Sequence, residues 1–92
     1  MIKVIIYSKV SCIPSNELIN FCKDFKEKID LTHYKLKDNK FPEIKFDLEY
    51  EQLEQLYNRK FYTNPVIFID NEVQSTVHNA FVLLRKRLKN EH

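Results

Sequence analysis

The sequence predicts one α/β domain: a four-stranded mixed sheet flanked by three helices, in the order strand, helix, strand, helix, strand, strand, helix. Three observations predict it. The chain opens on an apolar run, Ile2-Lys3-Val4-Ile5-Ile6-Tyr7, rich in β-branched residues and broken only by Lys3. That is the pattern of a strand buried on both faces. The period then becomes helical, with Leu18, Phe21, Cys22, Phe25 and Ile29 at spacings of three and four, which places them on one face. Later, the apolar run Val66-Ile67-Phe68-Ile69 meets the turn signal Asp70-Asn71 and then Val73-Gln74, which reads as an antiparallel hairpin.

Each element follows in order. After the first strand, Ser8-Lys9-Val10-Ser11 reads as a loop. A helix is expected over residues 14–28. Pro14 is acceptable there, because the first N–H groups of a helix lack internal partners. Residues 33–37 form the expected second strand, with Tyr34 and Leu36 on one face. This first β-α-β unit is expected to be parallel and right-handed. Residues 38–42 read as a loop. Residues 44–48 alternate like a strand but run straight into a helix. Asp47 suits its N-cap, and Glu49 and Glu51 suit its first turn. Tyr50, Leu53, Leu56 and Tyr57 form its apolar stripe. The last helix carries Val77, Phe81, Leu84 and Leu88. It ends in Lys86, Arg87 and Lys89, where the carbonyl dipoles favour cations.

Composition sets the limits. The 92 residues make one domain, residues 1–92, with 43% hydrophobic and 30% charged residues, a globular balance that argues against disorder. A net charge of +2 gives no strong field to recruit nucleic acid or an anionic membrane. No stretch is long enough to span a bilayer, and the opening lacks the basic leader and cleavage site of a signal peptide. Two cysteines make no disulfide framework, so the expected compartment is a reducing cytoplasm; the expected state is a monomer. The chain contains no glycine, which excludes a phosphate loop and a dinucleotide fingerprint.

Chemistry concentrates at Cys12, just after a strand and at the start of a helix. A helix N-terminus offers N–H donors and a positive dipole end, and both favour thiolate, the reactive form. Lys9 adds positive charge nearby, and the Ser15 hydroxyl is placed to donate to the sulfur. Cys22 falls on the apolar face with Leu18 and Phe25 and reads as core. Ten residues along a helix put it roughly 15 Å away, too far to bridge Cys12.

Two segments carry a resemblance. Ile6-Tyr7-Ser8-Lys9-Val10-Ser11-Cys12 is similar to the opening of a glutaredoxin, and Thr63-Asn64-Pro65-Val66-Ile67-Phe68-Ile69-Asp70 resembles that family's Thr-x-Pro segment and following strand. The resemblance implies a thioredoxin-like fold with Cys12 as nucleophile. It implies a cis Pro65 packed beside Cys12, and an Asn64 backbone that pairs with glutathione as an added strand does. Lys9 would meet a glutathione carboxylate and Tyr7 would wall the site. Ile13, Pro14, Thr63 and backbone donors at Thr76 and Val77 complete the substrate-binding set. Glutathione enters as co-substrate. The sequence departs from the family in two places. Ser15 stands where the resolving cysteine would be, leaving a monothiol Cys12-Ile13-Pro14-Ser15 site. The paired glycines and acidic residues after the hairpin are replaced by Val73-Gln74-Ser75-Thr76-Val77-His78.

Other constellations read as structure. His33, His78 and His92 join the cysteines in no zinc-ligand spacing, and no metal is expected, although some monothiol glutaredoxins bridge an iron–sulfur cluster between subunits. Arg85, Lys86, Arg87 and Lys89 read as a solvated helix end, Asp47, Glu49, Glu51 and Glu54 as a solvated helix face. Phe21, Phe25, Tyr57 and Phe81 read as core. Two functions follow: a glutathione-linked thiol–disulfide oxidoreductase acting on mixed or protein disulfides, or a module of the same fold in which catalysis has lapsed and the surface docks a protein partner.

Overall fold

The computed structural model describes residues 1–90 and keeps the expected element order. The strands are β1 (Ile2–Ser8), β2 (Ile29–Lys35), β3 (Val66–Ile69) and β4 (Glu72–Gln74); the helices are α1 (Ile13–Asp24), α2 (Tyr50–Tyr57) and α3 (Val77–Asn90). The sheet order is β2-β1-β3-β4. β1 runs parallel to β2 and antiparallel to β3, and β3 pairs antiparallel with β4, so the sheet is mixed. No helix among the described residues is long and apolar enough to cross a membrane.

The alternation of β1 divides the core. Ile2, Val4 and Ile6 point to one face and pack with Leu18, Ile19 and Cys22 of α1 and with Ala80 and Leu84 of α3. Tyr7 points to the other face and joins Leu36, Leu53, Phe61, Val66 and Phe68, so α2 covers that side alone. A central strand with a helix layer on each side explains why nearly every residue of β1 except Lys3 is apolar or buried. Without glycine, the turns use Asn and Asp, the residues that best tolerate positive φ. Asp70 and Asn71 have φ of 47° and 71°, as a two-residue hairpin turn demands. Asn58 closes α2 in the left-handed region. Arg87 pairs with Asp70 and Arg85 lies over the Phe81 ring, so two of the cations at the end of α3 are held.

The structure corrects four expectations. α1 ends at Asp24, not near 28. The Phe25 carbonyl accepts the N–H of both Lys28 and Ile29, which turns the chain and starts β2 at Ile29, paired with Ile2. Phe25 is accordingly 38% exposed. β2 therefore begins before residue 33, and Leu36 lies past its end, bridged to Leu48. Asp47 caps no helix: its carboxylate accepts the Lys35 N–H at 2.7 Å. The N-cap of α2 is Glu49, in a reciprocal capping box with Gln52. Leu56 is 68% exposed while Leu53 is fully buried, so the stripe of α2 is narrower than its spacing implies.

Candidate active site

The register Tyr7↔Val66 brings the end of β1 against the start of β3. Both flanking segments therefore emerge at one end of the sheet: residues 9–12 leading into α1, and residues 61–65 leading into β3. The Asn64–Pro65 bond is cis, as the glutaredoxin resemblance implies.

Cys12 occupies the N-cap of α1, half-buried and in extended conformation, with Pro14 in the first turn. Its own N–H donates to the Lys9 carbonyl at 3.1 Å, and its carbonyl accepts the Asn16 N–H at 3.1 Å. Since Pro14 has no N–H, the Ile13 and Ser15 amides are the donors the first turn leaves without an intrahelical acceptor. The Ser15 hydroxyl donates to Cys12 Sγ at 2.9 Å, and Ser15 itself is fully buried. The sulfur thus sits at a helix N-terminus, beside a fixed hydroxyl donor. Cys22 is its opposite: fully buried, with burial pushing its thiol up to about 11. Both cysteines are free.

The loop carrying Cys12 is fixed from three sides. The Asn16 side-chain amide donates to the Val10 carbonyl at 3.1 Å. The Ser11 hydroxyl donates to the buried Asp38 carboxylate, which also accepts the Lys40 N–H at 3.0 Å. The Ser11 hydrogen bond, with help from the Lys40 amide and the Lys9 and Lys40 charges, holds the Asp38 carboxyl below the usual range. Beneath the loop, buried Ser8 Oγ lies 2.9 Å from His33 Nε2. Asp38 and the Ser8–His33 pair escaped the sequence reading, because the partners lie 27 and 25 residues apart respectively.

Burial, with Lys35 and Lys23, lowers the His33 pKa, while Asp47 and Ser8 oppose the shift. A histidine whose folded pKa is lowered adds no penalty above its unfolded pKa of about 6.5. The penalty grows as pH falls below that value and levels off below the folded pKa. Wild type should therefore lose stability between pH 7 and 5 relative to His33→Gln, measured as urea midpoints. Parallel pH profiles for the two proteins would refute this.

The remaining expected site residues are placed as follows. Lys9 is half-buried and lines an open groove with Lys37, Asn39, Glu49, Tyr50 and Glu51. Lys37 is 3.2 Å from Glu49. Ile13 is 69% exposed next to the sulfur. Asn64 is exposed and Thr63 and Pro65 half-buried. Thr76 and Val77 stand at the start of α3, where the Thr76 hydroxyl accepts the Asn79 N–H. Tyr7 is only 3% exposed. Its hydroxyl is 2.8 Å from that of Tyr57, and its ring stacks on Tyr34; burial, then Tyr57, raises its pKa. Tyr7 therefore acts as core, offering a ligand almost no surface.

Glu54 is also not part of a merely solvated face. Its side chain is 16% exposed and accepts the Phe61 N–H at 2.9 Å. Among the described residues, no group of three or more His, Cys, Asp or Glu side chains is placed to hold a metal ion; His92 lies outside the described residues. Comparison with known proteins finds no matching family model, no matching curated protein and no matching solved structure.

Proposed function

We propose that the protein is a monothiol, glutaredoxin-like thiol–disulfide oxidoreductase of thioredoxin-like fold, working in a reducing cytoplasm. The observation that carries this reading is the Ser15 hydroxyl donating to Cys12 Sγ at a helix N-cap, at the same end of the sheet as the cis Asn64–Pro65 bond.

The chemistry balances with glutathione alone. The Cys12 thiolate attacks the glutathione sulfur of a protein–glutathione mixed disulfide. The protein–sulfur to glutathione-sulfur bond breaks, and the protein thiolate leaves and takes a proton. A second glutathione thiolate then attacks the Cys12–glutathione disulfide. This releases oxidised glutathione and restores the Cys12 thiolate. Ser15 cannot resolve the intermediate, so glutathione or another thiol must.

Oxidised glutathione provides the test. At neutral pH, mass spectrometry should find a glutathionyl adduct on Cys12 and none on Cys22. With the Cys22 thiol at about 11, its thiolate fraction at pH 7 is on the order of one in ten thousand. An unmodified Cys12 that also resists iodoacetamide would refute the enzyme. That result would favour the second reading, a lapsed module that docks a protein through the exposed Ile13 and Tyr62, 69% and 94% accessible.

A further inference from the structure

The segment before Pro65 is not held by the sheet. β3 begins only at Val66, and Asn64, exposed, makes no backbone hydrogen bond among the described residues. What fixes this segment is α2. The Tyr50 hydroxyl lies 2.9 Å from the Phe61 carbonyl and 2.7 Å from the Thr63 carbonyl. Both partners are acceptors, so one phenolic proton serves two converging carbonyls. One turn further on, Glu54 accepts the Phe61 N–H at 2.9 Å. Asn58, in the left-handed region, sends the chain back along the helix, with the Arg59 N–H bonded to the Glu54 carbonyl at 3.1 Å. The Tyr50 ring packs against the buried cluster under the sheet, so its hydroxyl has a fixed origin. The Thr63 carbonyl belongs to the peptide unit that also carries the Asn64 N–H. Fixing that carbonyl fixes the direction of the amide.

We propose that Tyr50 is a positioning residue whose hydroxyl sets the orientation in which the Asn64 backbone receives substrate. It controls substrate affinity and leaves the attack by Cys12 untouched. This rests on the oxidoreductase reading above. Burial and the nearby Glu54 carboxylate raise the phenol's pKa, so the group remains a donor across the working pH range.

The test compares wild type, Tyr50→Phe and Leu88→Ala in steady-state reduction of a glutathionylated peptide. Tyr50→Phe keeps the ring and removes the donor. Its KM should rise about fivefold, the effect of one lost neutral hydrogen bond. Its kcat and its rate of Cys12 alkylation by iodoacetamide should stay within about twofold of wild type. Leu88→Ala trims a partly buried side chain on the far face and reports plain loss of stability. It should leave KM unchanged. An active wild type with an unchanged KM in Tyr50→Phe overturns the role of Tyr50 alone. So does a KM that rises equally in Leu88→Ala. A wild type that reduces no mixed disulfide overturns the oxidoreductase reading, and the Tyr50 proposal falls with it.

Discussion

Cys12→Ser should abolish reduction of mixed disulfides, while Cys22→Ser should keep activity within about twofold of wild type, because only a thiolate attacks a disulfide at a useful rate. The two cysteines lie on the same helix or its cap, ten positions apart, yet their surroundings are opposed. Cys12 Sγ accepts a hydrogen bond from the Ser15 hydroxyl, 2.9 Å away, and reaches solvent. Cys22 is sealed among Leu18, Ile19 and the β1 isoleucines, and that burial holds its proton on. Ser15→Ala separates the hydroxyl's share from that of the helix end. It should slow attack by Cys12 about tenfold at neutral pH, which corresponds to about 1.4 kcal/mol. Stopped-flow reduction of a glutathionylated peptide measures all three variants. Loss of activity in Cys22→Ser, with Cys12→Ser unaffected, would reverse the assignment of roles.

Where sequence reading succeeded, the signal was local. The β1 run, the Asp70-Asn71 turn and the α3 stripe each declare themselves within a few residues. Where it failed, a distant partner overrode a local pattern. Ile29 has the spacing of a helical residue, but pairing with Ile2 draws it into β2. Asp47 looks like a cap, but its carboxylate serves Lys35 across the end of the sheet. The same division runs through the site. Cys12, Ser15 and Pro65 sit inside short motifs and were legible. Ser11–Asp38 and Tyr50–Thr63 were not, since 27 and 13 residues separate the partners. Tyr50 in particular was hidden by its ring, which satisfied an apolar stripe while its hydroxyl reached the loop.

Leu53→Ala should destabilise the protein by about 2–5 kcal/mol, whereas Leu56→Ala should stay within about 0.5 kcal/mol of wild type. Spacing alone puts both leucines on one stripe of α2. Leu53 is fully buried with Tyr7, Phe61, Val66 and Phe68, and Leu56 is 68% exposed. The cost at Leu53 belongs near the upper part of its range, because α2 covers its face of the sheet without a second helix to collapse into the void. For a domain of this size the loss lowers Tm by roughly 8–40 °C. Thermal unfolding followed by circular dichroism decides it: similar shifts for the two variants would mean that α2 is not seated on the sheet through Leu53. The same helix carries Tyr50 and Glu54, which hold the segment before Pro65. One buried leucine therefore anchors the second core and, through it, the backbone that leads into Pro65.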